Sequence, residues 1–347
     1  MDNFETLETS EQTRRLTELA RTALQHWGFE INELQLIKFR ENAVFRLLTT
    51  HGQQYALRIH RHGYHSDDAL RSELQWMAAL GNSGIEVPRV LPTRKGQLFT
   101  TAAVDSVPGE RQVDLFTWVE GRQLGVLERD PGDRHQTAEV YRTIGELAAK
   151  LHNQAVDWRP PEGFTRHAWD ADGLAGNRPL WGRFWELPAL SPSQRELLTD
   201  ARQRVHADLL RYGARPDNAS RYSMIHADFV AENLLVEGSH VRLIDFDDAG
   251  FGWHLFELAT ALYFERGEPH FRDAYRTLVE GYRTYRDLPE EQLDYMPLFF
   301  AARGFTYLGW VATRPETETA RTMTPLLIEM ACSAAQDYFE AFSYPAP

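Results

Sequence analysis

Apolar and polar positions in the first third of the chain follow the pattern of a helix and then five strands. From about Glu11 to Trp27 the apolar residues recur at helical spacing, and Gly28 is placed to end this helix. Five later segments are short, apolar-rich and bounded by turn residues, as β-strands are, and a second helix separates the third segment from the fourth. The predicted strands are 34–39, 44–50, 54–60, 97–103 and 112–118, and the second helix is 66–80. The pattern therefore predicts a five-stranded antiparallel sheet with helices over residues 1–116.

The rest of the chain alternates mainly at helical spacing. The predicted helices are 137–154, 191–212, 268–286, 290–312 and 320–343. Segment 158–190 is rich in Pro, Gly, Trp and Arg, and we expect it to form either part of a substrate pocket or packed core. Residues 249–252, Ala-Gly-Phe-Gly, predict a flexible turn. Because 347 residues exceed the usual size of one hydrophobic core, an α+β protein of two lobes is expected.

Charge and cysteine content narrow the class of protein. The formal net charge of −13 argues against a nucleic-acid partner and favours a cationic or zwitterionic substrate, although solubility explains most of the charge. Cys332 is the only cysteine, which excludes an intrachain disulfide and fits a reducing compartment. The acidic, polar N-terminus is unlike a signal peptide, and no apolar run approaches the roughly 20 residues of a bilayer span. We expect a cytoplasmic protein with no membrane partner.

Two carboxylates and a carboxamide flank a predicted hairpin. Asp228 and Asn233 precede a short strand at 234–236, and Asp245 follows a second strand at 241–244. A hairpin brings its two ends together, so these oxygen-bearing side chains are expected to converge. Such a group of oxygen ligands suits Mg²⁺, and one carboxylate can stay off the metal to accept the proton of an attacking hydroxyl.

The order His226, Asp228, Asn233 and Asp245, written H-x-D-x4-N and then I-D-F-D-D, resembles a known superfamily. It is similar to the aminoglycoside phosphotransferases and type II homoserine kinases. The residues Ile-Asp-Phe-Asp-Asp and those directly after them look most like the branch that contains the bacterial stress-response kinases. The resemblance implies a protein-kinase-like bilobal fold, with a small five-stranded N-lobe carrying a helix and a larger, mainly α-helical C-lobe. It also implies that Asp228 takes the acceptor proton, that Asn233 and Asp245 hold Mg²⁺, and that ATP is the donor.

The resemblance extends to the first lobe. Tyr-Ala-Leu-Arg, ending at Arg58, resembles the strand whose cation grips the nucleotide phosphates, and Glu73 occupies the position of the carboxylate that orients this cation. The segment Phe-Arg-Glu-Asn-Ala, which contains Asn42, occupies the position of the turn that covers the nucleotide phosphates in that family. Leu-Phe-Thr-Trp-Val-Glu-Gly resembles the interlobe hinge, so the carbonyl of Thr117 and the amide of Val119 are expected to pair with adenine.

These similarities predict an N-terminal nucleotide-binding lobe at 1–116, a hinge at 117–121 and a C-terminal catalytic and substrate lobe at 122–347. Glu257, in Glu-Leu-Ala, resembles the acid that braces the catalytic loop. His60, His62 and His65 form a histidine-rich stretch that is either a zinc site or structural.

Three functions remain open at this level. The first is an ATP-dependent phosphotransferase acting on a hydroxyl of an amino acid, amino alcohol, sugar or aminoglycoside. The second is a protein Ser/Thr kinase of the bacterial stress type, and the third is a catalytically silent nucleotide-binding module. The absence of a long activation segment after Asp245 favours the first function, and the complete set of site residues argues against the third. The acceptor and the oligomeric state stay open, as does the choice between ATP and GTP.

Overall fold

The chain divides into two compact units. A computed structural model describes Phe4 and residues 7–39, 42–124, 134–238, 240–315 and 317–343. Unit 1 comprises Met1–Arg122, Arg159–Thr165 and Leu235–Ile244, and unit 2 comprises Gln123–Trp158, Arg166–Leu234 and Asp245–Pro347.

Unit 1 contains the predicted five-stranded antiparallel sheet, with strand order β1-β2-β3-β5-β4. The strands are β1 (Ile31–Phe39), β2 (Ala43–Thr49), β3 (Gln54–Ile59), β4 (Phe99–Val104) and β5 (Val107–Thr117), and the helices are α1 (Thr9–Leu24) and α2 (Asp67–Asn82). The predicted apolar stripe of α1 is confirmed, because its residues share one buried core with alternate residues of the sheet. Ser66 caps α2 by accepting a hydrogen bond from the amide of Ala69 at 3.2 Å.

Two segments from later in the chain also belong to unit 1. The amide of Thr165 donates to Oγ of Ser72 on α2 at 2.9 Å. The later of the two segments contains β9 (Leu234–Glu237) and β10 (His240–Leu243), and the amide of Leu243 at the end of β10 donates to the carbonyl of Glu86, after α2, at 3.0 Å. Because β9 and β10 are neighbours in one sheet, the predicted hairpin is confirmed, although Ser239 of its turn lies outside the described residues. A short strand, β6 (Arg122–Gln123), pairs with β9, which gives a three-stranded sheet of order β10-β9-β6.

Unit 2 is mainly helical, as the sequence predicts. Its helices are α3 (Arg134–Asp157), α4 (Ala171–Ala175), α5 (Pro192–Gly213), α6 (His254–Leu262), α7 (Phe271–Arg283), α8 (Glu290–Leu293), α9 (Met296–Ala312) and α10 (Glu318–Ala341). Short 3₁₀ turns occur at Phe184–Glu186, Asn218–Ser220, Ala231–Asn233 and Tyr263–Glu265. The tryptophans Trp169, Trp181 and Trp185 are buried, so the core alternative for segment 158–190 is confirmed for these side chains.

A small sheet of order β7-β11-β8 corrects one prediction. Its strands are β7 (Ala168–Trp169), β8 (Tyr222–Ile225) and β11 (Gly250–Trp253), so the predicted flexible turn over 249–252 was wrong. The two glycines serve close packing. A Cβ on Gly250 would lie 2.7 Å from the carbonyl oxygen of His167, and one on Gly252 would lie 2.5 Å from the side chain of Ile225. The pairing of Gly250 with Ile225 brings the residues after β8 next to those before β11.

The apolar segments of unit 2 belong to packed helices. Among the described residues, none of the helices combines the length and the apolar character that crossing a bilayer requires.

Candidate active site

The predicted cation of unit 1 is held by two buried carboxylates. Nη2 of Arg58 donates to Glu73 at 2.7 Å and to Asp114 at 2.7 Å, and its Nε donates to the second oxygen of Asp114 at 3.1 Å. The three side chains are 8%, 0% and 0% exposed. The predicted pair of Arg58 and Glu73 is therefore confirmed. Its desolvation cost is offset only because the guanidinium meets both partners in good geometry.

Sequence reasoning missed Asp114. This residue lies on β5 directly opposite Arg58 on β3, and a carboxylate inside the apolar run Val-Asp-Leu-Phe was the available signal. Burial alone would raise the pKa of Asp114, but the interactions with Arg58 and His60 lower it on balance, to about 2. The carboxylate thus stays ionised and keeps Arg58 in one rotamer.

Two histidines of the histidine-rich stretch contact other groups of unit 1. His60 contacts Asp114 through Nε2 at 3.0 Å, and His62 contacts the carbonyl of Glu110 through Nδ1 at 3.0 Å. Within the described residues, His60, His62 and His65 do not form a metal-binding group with one another.

The remaining nucleotide-binding predictions fall on the strand ends of unit 1. Asn42 is buried, and its Oδ1 accepts the amide of Arg61 at 3.1 Å, which ties the β1–β2 turn to the end of β3. Arg40 and Glu41 of the predicted phosphate-covering turn lie outside the described residues. Thr117 ends β5, and its amide donates to the carbonyl of Arg89 at 2.8 Å. Val119 follows in irregular chain and is half-buried.

Unit 2 brings Asp228 and Asn233 together in the loop after β8. The 3₁₀ turn at Ala231–Asn233 folds the chain back, so that Nδ2 of Asn233 donates to Oδ2 of Asp228 at 2.8 Å and to its main-chain oxygen at 2.9 Å. His226 is fully buried, and its Nδ1 accepts the amide of Asp228 at 3.3 Å. This contact ties the buried ring of His226 to the backbone of the loop.

The peptide before Asp228 has a left-handed conformation. Ala227 has a φ of 63°, which is unusual for a residue with a Cβ and is often found at functional sites. The predicted brace is confirmed, because the carboxylate of Glu257 accepts the amides of His226 and Ala227, both at 2.7 Å. Glu257 is fully buried on α6, so two charge-assisted hydrogen bonds stabilise a strained backbone.

The acidic segment before β11 has a second such position. Asp245 has a φ of 69°. The main-chain oxygen of Asp248 accepts the indole N–H of Trp169 at 2.9 Å, and Arg166 donates to the main-chain oxygen of Asp247. Segment 158–190 therefore contributes anchors for the acidic residues, which periodicity alone could not show.

Asn233 and the acidic residues of unit 2 carry oxygen atoms of the kind that a divalent cation binds. Since the amide nitrogen of Asn233 donates to Asp228, its carbonyl oxygen is the atom suited to a metal. Burial raises the pKa of Asp248 well above its ordinary value, and the charges of Asp228, Asp247 and Asp245 raise it further. Several carboxylates are therefore concentrated in a small volume, and a bound cation would relieve their repulsion.

Arg303 is a further site residue that the sequence reasoning missed. It lies in the middle of α9, and its Nη2 donates to Oδ1 of Asp228 at 3.2 Å. Burial alone would lower the pKa of Arg303, but Tyr307 and Asp228 raise it on balance, so the guanidinium stays charged. The available signal was a lone arginine within an otherwise apolar helix.

Two stacked histidines lie beside the loop brace. The rings of His152 and His254 are 4.0 Å apart and nearly parallel, and Nε2 of His152 is 3.7 Å from the carboxylate of Glu257. Burial lowers the pKa of His152, and the charge of Glu257 only partly opposes this change. Burial lowers the pKa of His254 further, together with the nearby His152 and Arg286.

This pair predicts a pH dependence of stability. Above the ordinary histidine pKa of about 6.5 both folded and unfolded chains are neutral at His254, whereas below it the unfolded chain binds protons first. Stability is therefore lost as pH falls below that value, by at most about 1.4 kcal/mol per pH unit for one histidine. His254→Gln, which can keep the hydrogen bond to Ser223, should show a smaller loss between pH 7.5 and 5.5, measured by urea unfolding.

The free energies of unfolding of the wild-type chain and of His254→Gln at pH 8 are the control. The histidine is neutral at that pH, so any difference there is due to packing alone. Equal slopes for the wild-type chain and His254→Gln below pH 6.5 would contradict the prediction.

Comparisons with known proteins cover most of this chain. The model of the phosphotransferase enzyme family matches residues 34–289. Among solved structures, a microcompartment-associated aminopropanol kinase is 32% identical with a TM-score of 0.81, and the match covers 95% of this chain and 100% of that one.

Two curated relatives are also kinases. The amicoumacin kinase of Bacillus subtilis is 22% identical over 246 residues, which cover 70% of this chain and 66% of the relative. A homoserine kinase of Pseudomonas aeruginosa is 27% identical over 223 residues, which cover 64% of this chain and 61% of the relative. The chain thus spans slightly less than two thirds of the length of each of these two relatives.

The expected kinase-like α+β fold class is confirmed. The chain belongs to the phosphotransferase enzyme family, and it is an ATP-dependent kinase that phosphorylates a hydroxyl of a small molecule.

Proposed function

We propose that Asp228 is the catalytic base of this transfer, and that Asn233 and Asp245 hold Mg²⁺. The observation that supports this assignment most strongly is the fixed carboxylate of Asp228, which accepts a hydrogen bond on each oxygen, from Asn233 and from Arg303. A base that is immobile and still partly open to solvent is suited to orient a hydroxyl. The side chain of Asp228 is 30% exposed.

The transfer needs positioning more than covalent chemistry. The acceptor hydroxyl donates a hydrogen bond to Asp228, its oxygen bonds to the terminal phosphorus of ATP, and the bond to the ADP oxygen breaks. Asp228 takes the hydroxyl proton as the new bond forms. When bound, Mg²⁺ neutralises charge on the phosphate oxygens.

Arg58 and the end of β5 are the proposed nucleotide-binding groups of unit 1. Arg58 offers a permanent positive charge to the α- and β-phosphates, and Glu73 and Asp114 keep it in one rotamer. The carbonyl of Thr117 and the amide of Val119 are proposed to pair with adenine. Asn42 has a supporting role, because its side chain fixes the adjoining turn.

The proposed acceptor is an amino alcohol. The similarity to an aminopropanol kinase supports this choice, and so do the carboxylates of Asp228, Asp245 and Asp247 near Asp248, which attract an ammonium group. A negative site of this kind disfavours anionic acceptors. Because ATP is the donor and the single cysteine fits a reducing compartment, we propose that the enzyme acts in the cytoplasm.

A panel of acceptors tests this assignment. In a coupled assay of ADP release with Mg²⁺, 1-aminopropan-2-ol and ethanolamine should have kcat/KM values at least about tenfold above that of propane-1,2-diol, because a tenfold preference needs only about 1.4 kcal/mol. Propane-1,2-diol is the matched control, since it keeps the hydroxyl and lacks the ammonium. Phosphorylation of the diol at an equal rate would contradict the proposed acceptor class. Autophosphorylation without transfer to any small molecule would contradict the small-molecule function.

Two substitutions should separate the roles within unit 2. Asp228→Asn should lower kcat by about 10²-fold to 10⁴-fold, the usual contribution of a general base, with little change in MgATP affinity. Asp245→Asn should instead weaken Mg²⁺-dependent nucleotide binding. Steady-state kinetics and calorimetry measure the two effects.

Asp157→Asn is the control for loss of a carboxylate, because this exposed residue ends α3. Wild-type turnover by Asp228→Asn would exclude the proposed base. Unchanged MgATP affinity in Asp245→Asn would exclude the proposed metal ligand.

A further inference from the structure

The guanidinium of Arg303 is fully buried and contacts the loop that carries Asp228. Its Nη1 donates to the main-chain oxygen of Ala227 at 3.0 Å, and its Nη2 donates to Oδ1 of Asp228 at 3.2 Å. Nη2 also donates to the hydroxyl of Tyr307 at 2.9 Å. A charge without partners in the interior is very costly, so the position of Arg303 is tied to these acceptors.

Arg303 and Asn233 together fix the carboxylate of Asp228. Asn233 donates to Oδ2, and Arg303 donates to Oδ1. Both oxygens are therefore held from the protein side, while 30% of the side chain stays exposed. Rotation of the carboxylate would break one of these bonds, so the exposed edge has a defined direction.

Arg303 also holds the strained peptide before Asp228. The amide of Ala227 donates to Glu257, and its carbonyl accepts from Arg303, so the left-handed residue is bound on both sides. A left-handed conformation is strained for a residue with a Cβ, because the Cβ lies too close to the following carbonyl oxygen. Loss of Arg303 would leave the carbonyl side of this peptide unsupported.

Aromatic rings surround the guanidinium of Arg303. Tyr307 lies one helical turn beyond Arg303, with its ring centre 4.2 Å from the guanidinium carbon. The rings of Trp181 and Phe256 lie at 5.6 Å. A planar group with several donors can reach the carbonyl of Ala227 and the carboxylate of Asp228 at once, which a lysine ammonium does poorly.

We infer that Arg303 is a positioning residue for phosphoryl transfer, which sets the direction of the Asp228 carboxylate towards the acceptor hydroxyl. This inference rests on the proposed role of Asp228 as the base. Because its side chain is fully buried, Arg303 acts through Asp228 and the preceding peptide rather than on a substrate directly.

Substitutions at position 303 test the inference. Arg303→Met, which keeps a long side chain without the donors, should lower kcat by about 10²-fold, because a small misplacement of a reacting group has an effect of this size. The KM values for ATP and for the acceptor should stay within about twofold. Arg303→Lys should recover part of the loss, to about tenfold below the wild-type kcat. Steady-state kinetics of the full chain with the best acceptor of the panel gives these values.

A double-mutant cycle separates positioning from a general structural role. If Arg303 acts through the carboxylate, adding Arg303→Met to Asp228→Asn should lower kcat by less than about threefold. A merely structural role would multiply the two losses and raise the KM values. Arg314→Met, which removes another buried arginine two residues beyond the end of α9, is the matched control, and it should lower stability without changing kcat by more than about twofold.

The outcomes distinguish the two proposals. A folded Arg303→Met variant with kcat within about threefold of wild type, or a loss that multiplies with that of Asp228→Asn, would overturn the role of Arg303. Wild-type turnover by Asp228→Asn would overturn the proposed base instead. If Arg303→Met does not fold, Tyr307→Phe decides, because loss of its hydroxyl should lower kcat at least threefold at unchanged KM, and an unchanged kcat would contradict the inference.

Discussion

The site in unit 2 depends on one strained peptide that buried charges hold in place. Ala227 has a left-handed backbone, and its two polar groups bond to Glu257 and Arg303. The buried charges of Glu257 and Arg303 would each be costly without hydrogen-bond partners. The strained backbone of Ala227 would in turn be costly without the two charged groups that bond to it. Because Glu257 lies on α6 and Arg303 on α9, packing of the helical unit determines the direction of Asp228.

Unit 1 uses the same physical arrangement for a cation. Arg58 lies on a strand, Asp114 on a neighbouring strand and Glu73 on a helix, so three separate elements must pack correctly before the guanidinium is fixed. Burial makes these hydrogen bonds strong and makes an unpaired partner costly. In both units a charged side chain proposed for function forms an ion pair with a buried group of opposite charge. This pairing limits the motion of the functional side chain.

The sequence predicted features that are local in the chain and missed those that depend on folding. The sheet and helices follow from periodicity, and Asp228 and Asn233 were found because a five-residue spacing and one 3₁₀ turn connect them. Asp114 and Arg303 act across 56 and 75 residues, respectively, so no local pattern marks them. Gly250 was misassigned to a flexible turn because a glycine required by close packing looks the same in sequence as one required by a turn.

The account is tested most directly by a crystal structure with Mg²⁺, a non-hydrolysable ATP analogue and an amino alcohol. We predict that the acceptor hydroxyl lies within about 3 Å of a carboxylate oxygen of Asp228, the reach of a hydrogen bond, while Arg303 and Asn233 keep their contacts with that carboxylate. An acceptor hydroxyl that faces a different side chain, with Asp228 itself bound to the metal, would contradict it.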